Sequence, residues 1–394
     1  MTSTAAPTAP PRTRPPGWPA VLAVTMGIFT IVTTEILPVG LLTSIGSGFT
    51  VSDGTAGLMM TMPGYLAAVA APVLTVSTAR LDRRLMLCAC LLLLAVANVL
   101  AAAAPAFWTL LLSRVLVGVV IGGFWSIAAG LADRLVAPPQ VRRATAVVFS
   151  AVPLGSVFGV PLGTLIGDAA GWRTSFAVMA ALSVAVLAAL AVFLPPLPAE
   201  QATRLTVLRS ALRVRNTWRA LALTVLIVLA HFGAYTYVTP FLEQVTHVSP
   251  TAFLLLYGVA GLAGNFLGGL MVARRPALTS AIAAGLIALA TLALPAVGHS
   301  PAGTAVLLAL WGVGYGAIPV CSQTWFSAAT PGTPEAASVL FTSSFQATLS
   351  TGALAGGLVV DRTSPSTVML SGGATAALML LLLVFWSAST TTRT

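Results

Sequence analysis

The sequence has very little charge. Only 7% of its 394 residues are Asp, Glu, Lys or Arg, whereas 57% are hydrophobic, and soluble domains carry roughly 25% charged residues. The core of a soluble domain could not absorb so much apolar sequence, so a soluble globular protein is excluded. The mean hydropathy of +0.97 indicates a chain that crosses a membrane many times.

Motifs of soluble enzymes and metal centres are also missing. The sequence lacks Gly-x-x-x-x-Gly-Lys-Ser/Thr, His-Glu-x-x-His and Cys-x-x-Cys, which bind phosphates or metals in their structural contexts. The three cysteines, Cys88, Cys90 and Cys321, lie in apolar stretches, and an odd number argues against a disulfide framework. We therefore predict no catalytic residue, no cofactor and no metal, and we disfavour ATP-driven transport by this chain alone.

Long apolar runs separated by short loops fill the chain from Trp18 onwards. A membrane-crossing helix needs ~20 residues, so the sequence predicts an all-α membrane protein of twelve transmembrane helices. The predicted spans are Trp18–Leu42, Thr55–Val76, Leu85–Ala104, Phe107–Ala129, Ala144–Ile166, Thr174–Leu194, Ala220–Val238, Thr251–Val272, Ala277–Val297, Thr304–Ala328, Ser338–Val359 and Ser366–Trp386.

A connection rich in Pro and Arg divides the spans into six and six. Each half carries arginines after its second span, and weak internal similarity is typical of transporters built from repeats, although any polytopic protein has basic inner loops. We predict a disordered cytoplasmic tail (1–17), an N-terminal six-helix half (18–194), a basic cytoplasmic linker (195–219), a C-terminal six-helix half (220–386) and a cytoplasmic tail (387–394).

Lysine is absent, and the arginines are distributed unevenly. Of the nineteen arginines, sixteen lie on the side of the N-terminus, Arg173 and Arg362 lie on the other side, and Arg114 lies within a span. Because these charges are scattered over short loops, the net charge of +10 indicates membrane topology rather than a nucleic-acid-binding surface. By the positive-inside rule, both termini are predicted to be cytoplasmic.

Glu35 is the acidic residue that lies deepest within a predicted span. An ionisable group in hydrocarbon is costly and usually functional. At 1.5 Å per residue, Glu35 in span one and Arg114 in span four lie at similar depth, which allows an ion pair, direct or through water, if the two spans face each other. A carboxylate balanced between burial and an arginine can gain and lose a proton. We therefore predict a proton-coupling site at Glu35 and Arg114, with a structural charge pair or an outward-reaching Glu35 as the alternatives.

Small residues recur at regular spacing in spans four and five. Glycines four residues apart let helices pack closely, and Pro161 favours a bend because it removes a backbone hydrogen bond. Span five therefore suits a protein that rocks between two states or, equally, a static small-residue interface. The residues are Arg114, Gly118, Gly122 and Trp125 on one face of span four, and Gly155, Gly159, Gly163 and Gly167 in span five.

Aromatic residues with polar tips recur in the second half. Such rings suit a largely apolar ligand pocket, and His231, close to mid-membrane, is a candidate second titrating group. For each residue taken singly, simple packing is the alternative. The residues are His231 and Tyr235 on one face of span seven, Trp311 and Tyr315 on one face of span ten, Gln323 nearer the inner end of span ten, Asn265 in span eight and Gln346 in span eleven.

Three of these stretches resemble motifs of one family. Glu35 to Leu42 looks like the first-span acidic motif, Ser113 to Trp125 the fourth-span Arg–Gly motif, and Pro161 to Arg173 the fifth-span antiporter motif of the proton-coupled efflux branch of the major facilitator superfamily. Gly122 to Trp125 and Asp82 to Arg84 most resemble the purine ribonucleoside efflux pumps. Chloramphenicol exporters and arabinose-type sugar exporters are similar but less close.

The resemblance implies a central cavity lined by spans one, four, seven and ten. We expect substrate contacts from Trp125, His231, Tyr235, Trp311, Tyr315 and Gln323. Roles in gating and helix packing are expected for Asp82, Arg83, Arg84, Gly118, Gly122, Gly159, Pro161 and Gly163. The chain departs from the family pattern where Thr75 and Ala79 replace a Gly and an Asp, and where Val160 separates Gly159 from Pro161.

The predicted function is export of a small molecule, purine nucleoside-like or drug-like, by proton antiport. The expected partners are the substrate, protons and the lipid bilayer, with no nucleic acid, and the protein is expected to be a monomeric, multi-pass component of the cell membrane. The alternatives are a sugar or chloramphenicol-type exporter of the same fold and a proton-independent uniporter. A membrane sensor would be expected to carry a sizeable soluble signalling domain, and a membrane enzyme a cluster of reactive groups.

Overall fold

The computed structural model describes residues 17–78, 80–128, 131–198, 212–246, 250–330 and 334–391, and these residues form helices and turns without a strand. Twelve long helices within them follow the predicted spans in order. They are α1 (Trp18–Phe49), α2 (Leu58–Ser77), α3 (Arg83–Ala102), α4 (Phe107–Ala128), α5 (Val141–Leu154, Gly155–Gly159 and Val160–Ala170), α6 (Trp172–Phe193), α7 (Arg215–Tyr235), α8 (Pro250–Val272), α9 (Pro276–Val297), α10 (Pro301–Ala329), α11 (Pro334–Arg362) and α12 (Pro365–Thr391).

Short helices fill some of the connections between these twelve. They are Asp53–Ala56, Ala132–Leu135, the 3₁₀ turn Pro138–Gln140, and Val238–Thr246, which follows α7 after a turn at Thr236 and Tyr237. The middle piece of α5, Gly155–Gly159, is a π-helical turn. The all-helical fold class predicted from the sequence is thereby confirmed.

Eleven of the described helices are long and apolar enough to cross a membrane, so the chain is a multi-pass membrane protein. The remaining long helix, α11, has 29 residues but is more polar, since Thr342, Ser344, Gln346, Thr348 and Ser350 interrupt it. This polarity has a physical reason, because α11 packs against α2 of the first half and α7 of its own half, where polar groups can find partners.

Proline marks the starts of the helices in the second half. Five successive helices, α8 to α12, begin at Pro250, Pro276, Pro301, Pro334 and Pro365. The first N–H groups of a helix have no partner within it, so a residue without an N–H costs nothing there. These starts can be read from the sequence.

The C-terminal ends of α1 and α12 lie furthest beyond the predicted spans. The helix α1 continues past Leu42 to Phe49, whose ring lies 6.0 Å from that of Phe107 and 5.4 Å from that of Trp172. The predicted end followed from the number of residues needed to cross the membrane. The observed end lies at Phe49, whose ring packs on Phe107 and Trp172. The helix α12 runs to Thr391, so part of the predicted tail 387–394 is helical. The tail 1–16 and most of the predicted linker, 199–211, lie outside the described residues.

The two halves repeat one packing plan. In the first half α2 packs on α4 and α3 packs on α6, and in the second half α8 packs on α10 and α9 packs on α12. Across the halves, α2 meets α11 and α5 meets α8, which are equivalent pairings under the same repeat. The interface between halves is therefore pseudo-symmetric.

The halves are joined from mid-bundle to the end where α1 finishes, which we call the distal end. Six hydrogen bonds between described residues of the two halves lie in this part, so the halves are closed together distally. The bonds run from Ser52 Oγ and the Gly54 N–H to the Asp361 carboxylate (2.7 and 2.9 Å), between Tyr65 and Thr351 (3.0 Å), from Thr239 to the Val39 carbonyl (2.8 Å), from Thr251 to Asp168 (3.2 Å) and from Gln346 to Glu35 (2.8 Å).

Candidate functional site

Glu35 lies inside α1 and is 7% exposed. Its Oε1 accepts a hydrogen bond from Nε2 of Gln346 at 2.8 Å. Gln346 belongs to α11, so this bond joins the two halves of the bundle. The hydrogen-bond partner of the carboxylate is thus an amide of the second half.

Arg114 is fully buried in α4 and is held against α1. Its Nη1 donates to the backbone carbonyl of Thr34 at 2.9 Å, and its guanidinium lies 5.1 Å from the ring centre of Phe176. The helices α1 and α4 therefore face each other, and Arg114 reaches the residue next to Glu35. The two charges act on each other electrostatically, but the hydrogen bond of Arg114 to α1 ends on the backbone rather than on the carboxylate.

Pro38 explains why the Thr34 carbonyl needs a partner. In an α-helix the carbonyl of residue 34 accepts from the N–H of residue 38, and proline has no N–H. The sequence therefore leaves one acceptor in α1 without its helical donor. The Arg114 guanidinium supplies that donor from α4. The missing backbone hydrogen bond in α1 therefore positions the charge of Arg114.

Asn98 adds a buried amide to this region. It is fully buried in α3, and its Nδ2 donates to Thr34 Oγ1 at 3.2 Å and lies 3.5 Å from Ser183 Oγ. The sequence reasoning missed Asn98. The signal that could have found it is its position as the one amide within an otherwise apolar third span.

Five ring side chains of the second half form one aromatic cluster, which consists of His231, Tyr235, Tyr257, Trp311 and Tyr315. The His231 ring stacks on Tyr315 at 3.6 Å between centroids and on Tyr235 at 5.0 Å, and Tyr235 stacks on Tyr257 at 4.7 Å. The structure thus brings together the two face pairs singled out in spans seven and ten. Tyr257, from α8, was missed by the sequence reasoning, and the available signal was its hydroxyl, since it is the one tyrosine in an apolar span.

The hydrogen bonds of His231 determine its tautomer. Trp311 Nε1 lies 3.0 Å from His231 Nδ1, and an indole N–H can only donate. Nδ1 therefore accepts, and the neutral ring carries its proton on Nε2. That Nε2 is fully buried and has no hydrogen-bond partner among the described residues, and the same is true of the Tyr257 hydroxyl. Buried polar groups are normally hydrogen-bonded, so both are candidate ligand contacts.

The aromatic cluster adjoins the Glu35 carboxylate. The Tyr315 ring packs against Phe232, which in turn packs against Phe345, the neighbour of Gln346. The carboxylate, the buried guanidinium and the aromatic cluster therefore form one continuous region. The helices expected to line the cavity, α1, α4, α7 and α10, all contribute to this region, and α8 and α11 add Tyr257 and Gln346.

Trp125 and Gln323 lie apart from this cluster. The Trp125 ring lies 6.3 Å from that of Phe149 in α5, within the first half, and is half-buried. Gln323 is exposed near the end of α10. Helical spacing placed Trp125 on the face of Arg114 in span four, but spacing along one helix does not determine which residues of other helices a side chain contacts.

The glycines singled out in spans four and five lie at close helix crossings. A Cβ on Gly118 would lie 2.6 Å from Leu66 Cβ and one on Gly122 2.7 Å from Ala70 Cβ, both in α2. A Cβ on Gly159 would lie 2.7 Å from Thr33 Oγ1, and one on Gly163 would overlap Leu37, both in α1. Pro161 lies in the first turn of Val160–Ala170, directly after the π-helical turn, so the irregular part of α5 lies against the helix that carries Glu35.

The basic loop between α2 and α3 is fixed by local hydrogen bonds. Asp82 caps α3 by accepting from the Arg84 N–H at 2.8 Å. Arg83 Nη1 donates to the Thr78 carbonyl at 3.2 Å, and Arg84 Nη2 donates to the Ala191 carbonyl of α6. These contacts tie the loop to its own half.

Comparison with known proteins agrees with this architecture. The sequence profile of the Major Facilitator Superfamily matches residues 22–347 of the chain. The chain belongs to the Major Facilitator Superfamily. It is also 32% identical over 359 residues to the transcription regulatory protein OpdE of Pseudomonas aeruginosa, a match that covers 88% of each chain.

Solved structures of the superfamily share the fold at low sequence identity. A bacterial homologue of the human lysosomal transporter Spinster, in an inward-facing and unoccupied conformation, has a TM-score of 0.70 at 17% identity, with 94% of this chain and 95% of that chain covered. The peptide transporter POT in complex with sulfate has a TM-score of 0.76 at 12% identity, with 94% of both chains covered. The fold and the family together indicate a membrane transporter rather than an enzyme.

Proposed function

We propose that this superfamily member exports a small molecule in exchange for protons and that Glu35 carries the proton. The observation that carries the proposal is the position of Glu35: a buried carboxylate that bonds across the two halves, beside a buried guanidinium and a ring cluster with unpartnered polar atoms. An ionisable group kept inside a membrane bundle at this cost is usually functional. Proton binding there changes a contact between the parts that must move.

The substrate we propose is a planar, largely apolar compound with hydrogen-bond acceptors, purine nucleoside-like or drug-like. Aromatic rings bind flat molecules by stacking, and the His231 Nε2–H offers a donor to a ring nitrogen or carbonyl oxygen. The resemblance of Gly122 to Trp125 and of Asp82 to Arg84 to purine ribonucleoside pumps supports the nucleoside class. A sugar would use the same donor but has no flat aromatic ring to stack, whereas a chloramphenicol-type compound would stack through its single aromatic ring.

The direction of transport rests on topology. The excess of arginine on the N-terminal side supports cytoplasmic termini in the cell membrane, which makes the distal end the outer end. Contacts between the halves at that end then correspond to a conformation closed to the outside. We propose that the monomer alternates between this conformation and an outward-open one, as transporters built from repeats do.

The test uses purified protein in proteoliposomes with an internal pH-sensitive dye. Addition of adenosine, inosine, arabinose or chloramphenicol on the cytoplasmic face should drive proton movement for the transported compound, and Glu35→Gln should abolish it. A wild-type rate of proton movement in Glu35→Gln would refute the proton role of Glu35. A substrate transport rate that does not change when a pH gradient is imposed would show that the protein is a uniporter instead.

A second function is favoured by the relative named a transcription regulatory protein. A membrane regulator of this fold would bind the compound without moving it across the membrane. Binding of the compound, measured by tryptophan fluorescence, without uptake into the same vesicles would support this reading. Uptake against a gradient would exclude it.

A further inference from the structure

The hydrogen bond between Gln346 and Glu35 links a titratable group to the interface between halves. Nε2 of Gln346 lies 2.8 Å from Oε1 of Glu35, and both side chains are buried, at 6% and 7% exposure. The two residues belong to α11 and α1, in opposite halves. No motif of the sequence marks Gln346, which is simply one of several polar residues in a polar helix.

The backbone around Gln346 is held by the closed interface. Gly64 of α2 packs so closely on α11 that a Cβ there would lie 2.6 Å from the Gln346 carbonyl oxygen and would overlap the Ser350 hydroxyl. One turn further along, Tyr65 and Thr351 are hydrogen-bonded at 3.0 Å. The distance between Gln346 and the first half is therefore set by the contact of α2 with α11, and it grows when these helices separate.

We propose that Gln346 is the positioning residue that couples the protonation state of Glu35 to closure of the distal end. Its amide N–H binds the Glu35 carboxylate only while α2 and α11 are in contact. A hydrogen bond to a charged carboxylate is roughly twice as strong as one between neutral groups. Closure therefore stabilises the charged form of Glu35, and by linkage the charged form stabilises closure.

The other groups that act on Glu35 do not depend on the interface in this way. Arg114 from α4 belongs to the same half as Glu35 and is anchored on α1, so it moves with Glu35. Tyr315 from α10 is neutral at ordinary pH, and its neighbour His231 is bound to Trp311. Gln346 is thus the group whose bond to Glu35 responds to both charge and closure.

This inference rests on the proposed antiport and gives it a sequence of events. In the distally closed state Gln346 favours loss of the proton from Glu35 toward the opposite side of the membrane. Once the distal end opens, the bond is lost and Glu35 binds a proton more readily. Proton release is thereby confined to one side.

The experiment measures distal closure directly, as a function of pH and without substrate. Spin labels are placed at Ser47 and Thr363, both exposed at the distal end, in full-length protein in nanodiscs with the three cysteines replaced by alanine. The distance between the two labels is measured by pulsed electron paramagnetic resonance at pH values from 5 to 9. The variants are Gln346→Met, which keeps the length but lacks the amide, Gln346→Asn, which is too short to reach, and Gln140→Met, an exposed control.

The expected result is a difference confined to high pH. At pH 9 the closed-to-open ratio of Gln346→Met should be lower than that of the wild type by roughly tenfold, the size expected for a lost bond to a charged group, and at pH 5 the two should agree. Gln346→Asn should show the same pattern, and Gln140→Met should match the wild type. Equal closure at pH 9, or an equal loss at both pH values, would overturn the proposal.

Failure of this inference differs from failure of the proposed function. If Glu35→Gln abolishes proton movement while both Gln346 variants close like the wild type, Glu35 carries the proton and Gln346 does not couple it. If Glu35→Gln leaves proton movement intact, the proton role of Glu35 in the proposed function is refuted.

Discussion

The guanidinium of Arg114 donates to the backbone carbonyl of Thr34 at 2.9 Å. This carbonyl lies four residues before Pro38, which cannot donate to it. Two charged residues at similar depth suggest a direct ion pair, but the structure shows a different arrangement, in which Arg114 completes a helix and leaves the Glu35 carboxylate to Gln346. A carboxylate without a fixed arginine partner is freer to exchange its proton, which is what the proposed function needs.

The role of Arg114 in completing α1 can be tested by a paired substitution. Arg114→Met should lower the free energy of unfolding by about 1–3 kcal/mol, because it leaves the buried Thr34 carbonyl without a donor. Adding Pro38→Ala restores an N–H at position 38, and we expect it to recover part of this loss. Thermal unfolding of detergent-solubilised protein is the measurement.

A matched control for this pair is Pro295→Ala, a proline within α9. It should not recover the stability of Arg114→Met, because it lies far from Thr34 along the chain and in the other half. Recovery by both proline substitutions alike would show a general gain from removing prolines and would contradict the specific role.

The close crossing of α4 with α2 should make Gly118 sensitive to any side chain. Gly118→Ala places a Cβ against the Pro63 backbone and Leu66 Cβ, and overpacking of this kind costs about 1–3 kcal/mol. The control is Gly269→Ala in α8, where a Cβ would meet nothing within 4 Å. We expect it to be neutral or stabilising by up to about 1 kcal/mol, since alanine favours helix over glycine. Equal melting temperatures for the two variants would contradict the packing role of Gly118.

The distal latch at Asp361 should control opening. Its carboxylate accepts from Ser52 Oγ and the Gly54 N–H, and Asp361→Ala removes both bonds across the halves. We expect the Ser47–Thr363 spin-label distance to shift toward the longer, open population at every pH from 5 to 9. This uniform shift contrasts with the one expected for Gln346→Met. An unchanged distance distribution would show that other contacts hold the distal end closed.

Substitutions of two residues of the aromatic cluster should distinguish effects on stability from effects on substrate binding. Tyr257→Phe removes a hydroxyl that has no hydrogen-bond partner among the described residues, so the melting temperature should stay within about 1 °C of the wild type or rise. His231→Phe leaves the Trp311 N–H without its acceptor, so it should destabilise by about 1–3 kcal/mol.

Transport kinetics complete this test of the cluster. If the Tyr257 hydroxyl contacts the substrate, Tyr257→Phe should raise KM several-fold for the transported compound without changing the melting temperature. A stable variant with unchanged KM would place the substrate away from Tyr257 and assign the hydroxyl to packing alone.

Much of the architecture could be predicted from the order of residues. Apolar runs of membrane-crossing length and a basic midpoint linker predict the helices and their division into halves, because hydrocarbon admits few alternatives to a helix. The prolines at 250, 276, 301, 334 and 365 mark helix starts. The lone carboxylate at Glu35 and the buried Arg114 stand out because charge in a span is rare.

The partners of these residues could not be predicted in the same way. Gln346 lies 311 positions from Glu35 in sequence, and only the meeting of α11 with the first half brings the two together. The residues Trp125 and Gln323 had suitable chemistry and spacing, yet they lie apart from the aromatic cluster. Helical periodicity places residues on a common face but leaves the direction of that face open.

The sequence by itself therefore determined which groups are costly to bury, where the helices run and, at Pro38, which backbone acceptor would be left open. Tertiary structure decided which residues form hydrogen bonds with these groups: Arg114 donates to the Thr34 carbonyl, and Gln346 donates to the Glu35 carboxylate. The physical reason is that burial cost is a property of one residue and its local chain, whereas a hydrogen bond across helices depends on the rotation and separation of two rigid elements, which only the packing of the whole bundle sets.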